Sequence, residues 1–197
     1  MHLNYFFMNI SSIIRESLKL KQELLNNESM LKRLEEVVVV TSDCYKNGGK
    51  TMFCGNGGSA ADAQHLAAEL SGRFYFDRKP LDAEALHANT SYLTAVANDY
   101  SYNEIYSRLV EAKGKKGDIL FAFSTSGNSP NVVKALEQAK LQELITIGFT
   151  GMKPCKMDSL CDFIFKIPSA DTPRIQEMHI LLGHIICQGV EETLFET

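Results

Sequence analysis

No C-x-x-C pair, no cluster of lysines and arginines, and no apolar run near the roughly 20 residues of a membrane-spanning helix occur in this sequence of 197 residues. Each absence excludes a class. The five cysteines, Cys44, Cys54, Cys155, Cys161 and Cys187, are odd in number and scattered. They fit neither a disulfide framework nor a zinc finger and are read as reduced thiols, mostly core filler. Twenty Lys and Arg against 24 Asp and Glu leave a formal charge of −4, so the electrostatic term that dominates non-specific nucleic-acid binding is missing, and no nucleic-acid partner is expected. The opening Met1 to Ile14 has no basic start, no continuous apolar stretch and no small-residue cleavage site. A cytoplasmic protein with no membrane partner is therefore expected, and Met8 is a second candidate start, with Met1 to Phe7 as an upstream extension. Internal repeats, low-complexity stretches and obvious linkers are also missing.

What is present is ordinary globular composition, 45% hydrophobic and 22% charged, in a chain long enough for one domain. From Ile10 to about Asn26 and from Glu28 to about Lys46, apolar residues recur at helical spacing among charges, and Gly48 and Gly49 stop the second helix. The pattern then changes to short apolar runs that end in small-residue loops: Thr51 to Cys54, Ile119 to Phe123, Leu144 to Phe149 and Phe163 to Ile167, with a weaker one at Ala83 to Leu86. Strands alternating with helices predict an α/β fold, a doubly wound parallel five-stranded sheet flanked by helices. Residues 1–48 form an N-terminal helical extension and residues 49–197 the sheet domain, within one structural domain overall. A long final helix runs from Thr172 to about Leu194.

Two loops have the makings of a ligand site. Gly55-Asn56-Gly57-Gly58-Ser59 joins the first strand to a helix; its glycines permit a close backbone approach, and a helix start offers unpaired N–H groups. The same segment reads equally as a tight turn capped by Ser59. Ser124-Thr125-Ser126-Gly127-Asn128-Ser129 precedes Pro130, with Ser129 as helix cap and Pro130 at the first helical position. Capping explains one hydroxyl; Ser124, Thr125 and Ser126 remain, and hydroxyls with backbone donors suit a phosphate monoester where no lysine is at hand. Nucleotide sites are disfavoured, since neither G-x-x-x-x-G-K-[ST] nor G-x-G-x-x-G occurs at these loops.

His65 and Glu69 are four apart on one helix and face the same way, which suits a shared metal or a proton-transfer pair. Gln176 and His184 are eight apart on the last helix, about 12 Å along its axis and roughly 80° around it. For both to reach one ion, the helix begins late, the side chains lean together, or two subunits contribute. His179 is an alternative ligand, but a buried hydrogen-bonding role suits it better. Aldose-ketose interconversion needs a base between adjacent carbons and an acid or metal at the enediolate oxygen, and Glu69 and His184 can fill these roles.

The run Cys54 to Ser59 with His65, Glu69, Leu70, Gly72-Arg73, Asn98-Asp99, Ser124 to Ser129, and Arg174-Ile175-Gln176-Glu177 to His184 resembles the phosphoheptose isomerases of the sugar isomerase (SIS) domain superfamily. The resemblance covers nearly the whole chain. It implies that Asn56, Gly57, Gly58, Asn98, Asp99, Ser124, Thr125, Ser126 and Ser129, with Glu69 and Gln176, hold substrate, the serine loop taking the phosphate. It implies zinc, one per subunit, on His65, Glu69, Gln176 and His184, with Glu69 as base and His184 as acid. It further implies a homotetramer with sites at subunit interfaces, acting on sedoheptulose 7-phosphate to give D-glycero-D-manno-heptose 7-phosphate, a precursor of heptoses in lipopolysaccharide or related glycans. Arg73 matches another active-site position without an assigned role. The rival readings are a non-catalytic sugar-phosphate or partner-binding relative, for which His65, Glu69, Gln176 and His184 have no use, an isomerase of arabinose 5-phosphate or a hexose phosphate, and a sugar-phosphate-sensing regulator, for which a DNA-binding helix pair is missing.

Overall fold

The computed structural model describes residues 9–195, so the alternative start at Met8 and the Met1 to Phe7 extension lie outside the described residues. Two helices lead, α1 (Ile10–Leu25) and α2 (Glu28–Lys46), followed by β1 (Thr51–Gly55) and α3 (Gly58–Ser71). Then come β2 (Ala83–Ala85), α4 (Thr90–Asp99), α5 (Ser107–Lys113), β3 (Ile119–Phe123), α6 (Pro130–Leu141), β4 (Ile145–Gly151), β5 (Phe163–Ile167) and α7 (Thr172–Phe195). Short 3-10 turns at Tyr102–Glu104 and Lys156–Ser159 complete the described segments.

The five strands pair in the order β2-β1-β3-β4-β5, all parallel. A parallel sheet covered on both faces is buried on both, which explains why β1 and β3 read as continuous apolar runs. Alternate residues feed two cores. Phe53, Phe121, Phe123, Phe149 and Phe165 point to the face covered by α1, α2, α3 and α7, where Phe123 and Phe149 stack at 4.4 Å and Phe149 and Phe165 at 5.1 Å. Met52, Cys54, Leu120 and Ala122 point to the other, covered by α4, α5 and α6.

The leading helices are part of the first core: Leu20 and Leu24 of α1 and Leu34 and Val37 of α2 are buried in it. The glycine stop after α2 has a defined form. Gly48 has φ +77°, its N–H donates to Tyr45 and that of Gly49 to Cys44, the paired closure of a left-handed helix C-terminus.

Two of the expected caps take a different form. Gly57, with φ +58° and no side-chain cap, stands at the head of α3, and Ser59 lies inside the helix, buried. Ser129 does stand at the head of α6, but its hydroxyl makes no capping bond; it meets Ser124 Oγ at 2.9 Å instead.

Strand order dictates where a ligand sits. The chain leaves β1 toward β2 on one side, while β3 lies on β1's other side, so a crevice opens at the carboxyl ends of β1 and β3, the switch point at which doubly wound sheets bind ligands. The glycine loop follows β1 and the serine loop follows β3.

Candidate active site

At the first loop, the Asn56 side chain is engaged by the protein. Its Nδ2 donates to Asn131 Oδ1 at 2.8 Å, Asn131 Nδ2 donates back to Asn56 Oδ1 at 2.8 Å, and the Tyr102 hydroxyl donates to the same oxygen at 3.1 Å. Asn131, 1% exposed, sits in the first turn of α6, so this reciprocal amide pair ties the glycine loop to the helix behind the serine loop. Tyr106 adds a hydroxyl donated to the Gly55 carbonyl at 2.5 Å. With its amide so engaged, Asn56 has its backbone, with that of Gly57 and Gly58, to offer a ligand. Asn131 and Tyr102 were not foreseen from the sequence, which gives no sign of which amide faces which.

At the second loop, Ser124 Oγ lies 2.9 Å from Ser129 Oγ and 3.4 Å from Ser126 Oγ. The turn needs glycine twice over: Gly127 has φ +63°, and a Cβ there would fall 2.2 Å from Cys155 Sγ. Three of the predicted hydroxyls thus converge ahead of the α6 N-terminus, where unpaired N–H groups favour an anion. Thr125 is half-buried beside them. Asn98 and Asp99 are exposed at the end of α4, where Asn98 Nδ2 donates to Asp99 Oδ1 at 2.9 Å.

Close packing of α7 on α3 builds the third part. Gly183 makes it possible, since a Cβ there would lie 2.3 Å from Leu66 Cδ1. The next residue, His184, is thereby set against His65 with ring centroids 4.9 Å apart, and His65 Nε2 lies 2.9 Å from Glu69 Oε1. Donor atoms of His65, Glu69 and His184 all fall within 4.8 Å of one another. Burial, then the neighbouring His65, lowers the His184 pKa, with Glu69 opposing, and His184 Nε2 is buried without a protein hydrogen-bond partner. Asp62, one turn before His65, is pushed up to about 6 by burial, with His65 opposing.

Gln176 goes elsewhere. The helix does not begin late; α7 is continuous from Thr172, and the Gln176 amide lies over Gly58, where a Cβ would sit 2.6 Å from its Nε2. Gly58 precedes His65 by seven residues, about 10 Å along α3. Within one chain, Gln176 therefore faces the glycine loop while His184 faces His65 and Glu69. His179 is 0% exposed among Phe123 and Phe149, with Nε2 3.3 Å from the Thr150 carbonyl, the buried role expected of it. Arg73 is exposed on the loop after α3.

A five-stranded parallel sheet with two small-residue loops at its switch point is the layout of a sugar isomerase domain, and residues 14–151 match the family model described as SIS domain. A phosphoheptose isomerase of Aneurinibacillus thermoaerophilus is 50% identical over 186 residues, covering 94% of each chain. The structure of a phosphoheptose isomerase from Neisseria gonorrhoeae superposes with a TM-score of 0.86 at 38% identity, covering 93% of this chain and 97% of that one. One from Francisella tularensis gives 0.89 at 33% identity, covering 93% and 96%. The chain belongs to the phosphoheptose isomerases of the SIS domain family.

Proposed function

We propose that the chain interconverts sedoheptulose 7-phosphate and D-glycero-D-manno-heptose 7-phosphate through a cis-enediol. The observation that carries this reading is the convergence of His65, Glu69 and His184 from two helices within 4.8 Å, in a chain 50% identical to a named phosphoheptose isomerase. The phosphate is held by Ser124, Ser126, Ser129 and Thr125 at the head of α6; the sugar hydroxyls are held by the backbone of Asn56, Gly57 and Gly58, by Gln176, and by Asn98 and Asp99.

In the proton balance, Glu69 removes a proton from C1 of the ketose as His184 protonates the C2 carbonyl oxygen, giving the enediol. Return of that proton from Glu69 to C2, with loss of the O1 hydroxyl proton to His184, gives the aldehyde. His65, Glu69 and His184 are the nitrogen and oxygen donors that zinc takes in catalytic sites, and the unpartnered His184 Nε2 fits a cation. Zinc held there, with Gln176 of a second copy completing the set, would polarise the carbonyl oxygen as a Lewis acid. Glu69 and His184 each have two polar atoms, one for the cation and one for the proton.

The assembly proposed is a homotetramer in the cytoplasm, with sites shared between copies and with residues 1–48 and 49–197 acting as one structural unit. No helix among the described residues is long and apolar enough to cross a membrane. The test is turnover of sedoheptulose 7-phosphate by purified protein with metal content determined on the same preparation. Glu69→Gln and His184→Gln are expected to fold and to lose on the order of 10² to 10⁴ in kcat. Binding without turnover in wild type, with zinc added, would replace this reading by that of a sugar-phosphate-binding module.

A further inference from the structure

Two charged side chains lie in the interior behind the site, and the reaction proposed above uses neither. The side chains of Arg78 and Glu191 are 2% and 1% exposed, with Arg78 Nε donating to Glu191 Oε1 at 2.8 Å. Glu191 also accepts from three consecutive backbone amides, Phe74 at 3.0 Å, Tyr75 at 2.5 Å and Phe76 at 3.1 Å. Arg78 in turn donates to the carbonyls of Glu69 at 2.9 Å, Leu70 at 2.8 Å and Gly72 at 3.2 Å. Burial pushes the Glu191 carboxyl up, but the three amides and Arg78 outweigh it and leave its pKa below the ordinary glutamate value.

Removing two charges from water is costly, and apolar residues in their place are often neutral or better for stability. Stability alone is a weak reason for such a pair. Its connections supply a better one. Glu191 stands seven residues, about two helical turns, beyond His184 on α7, and Arg78 grips the carbonyl of Glu69 itself. The same carboxylate fixes the loop carrying Phe74, whose ring lies 5.8 Å from that of His184.

We propose that Glu191, acting through Arg78, is a positioning residue: the buried pair clamps the end of α3 to α7 and holds Glu69 and His184 in mutual register. The clamp touches neither substrate nor reacting atoms, and it rests on the isomerase reading above.

The experiment compares wild type with Glu191→Gln and with the double replacement Arg78→Met/Glu191→Met, reading kcat, KM, thermal midpoint and the affinity for zinc alone against a chromophoric chelator. Glu191→Gln is expected to leave KM for sedoheptulose 7-phosphate within about threefold and to lower kcat on the order of 10²-fold, the effect of roughly 1 Å of misplacement. Zinc affinity falls with it, on the order of tenfold. The double replacement leaves no unpaired buried charge but strands the amides of Phe74, Tyr75 and Phe76 and the carbonyls that Arg78 held, so its midpoint stays below that of wild type and its kcat stays low. Wild-type kcat in Glu191→Gln, or wild-type kcat in a folded double variant whatever its midpoint, would overturn the positioning role. If Glu191→Gln does not fold, the double variant alone carries both readouts. If wild type shows no turnover, the isomerase reading fails separately, and unchanged zinc affinity in the variants overturns the clamp.

Discussion

His179 shows what burial does to a single titratable group. Its imidazole is lowered to about 4 by desolvation, with the Thr150 carbonyl opposing, and its Nδ1 has no hydrogen-bond partner. The folded chain keeps this ring neutral down to about pH 4, whereas an unfolded histidine takes up its proton near 6.5. Between those values the unfolded state binds more protons, so stability falls as pH falls, by about 2 kcal/mol from pH 7 to pH 5. Urea unfolding of wild type and His179→Gln across that range is expected to show a shallower acid slope in the variant. Asn131 makes a second case. Asn131→Leu leaves Asn56 without its reciprocal amide and frees the glycine loop, with a loss of about 1 to 3 kcal/mol in urea unfolding and a raised KM, since the backbone proposed to hold the sugar is no longer fixed. The residues legible in the sequence were those whose chemistry is local: His65 and Glu69 one turn apart, and hydroxyls crowded into one loop. Asn131 and Glu191 could not be read, because their partners lie 75 and 113 to 117 residues away and exist only once the sheet has closed.

Helices and strands were more legible than their ends. Strands buried on both faces announce themselves as apolar runs, so β3 and β5 fall at the expected residues, while β4 runs on to Gly151, past the apolar stretch, because its last residues pair with Lys166 and Ile167 of β5. Caps misled for a physical reason: a serine at a helix head can bond inward to the turn or sideways to a neighbour, and Ser129 bonds Ser124. The close passage of α7 over α3 was invisible as well, because Gly183 reads in sequence as a weak point of a helix rather than a contact. Its role is open to test. Gly183→Ala puts a methyl where Leu66 Cδ1, Cδ2 and Cγ stand within 2.3 to 3.0 Å, and Leu66, 1% exposed, has little room to retreat. The variant is expected to lose about 1 to 3 kcal/mol in thermal or urea unfolding. Its kcat falls further than stability alone explains, since the added methyl pushes His184 from His65.

At the scale of the whole molecule, the sheet accounts for the site but not for the outer face of α1. Leu20 and Leu24 are buried there, yet Ile10, Ile14, Leu18 and Leu25 are 60%, 55%, 55% and 71% exposed. Ile10, Ile14 and Leu18 follow at four-residue spacing and so form one stripe. Beside α2 and α7 a further groove is lined by Leu31, Val38, Val39 and Ile185. Exposed apolar stripes of this kind suit an interface between copies, and in the assembly proposed above Gln176, set apart from His184 within one chain, would give that interface a chemical purpose. The proposed homotetramer thus joins two observations that have no common cause in a single chain. Sedimentation is expected to give about four times the 22.0 kDa chain mass. Ile14→Asp with Leu18→Asp places charge on the stripe, on a helix that carries none of the proposed site residues, and is expected to yield smaller species that keep native circular dichroism and lose most of their turnover. Specific activity of such a variant should rise with protein concentration as copies reassociate. A dissociated chain with full turnover at nanomolar concentration would place the whole site within one copy, and the separation of Gln176 from His184 would then have to close by movement inside α7.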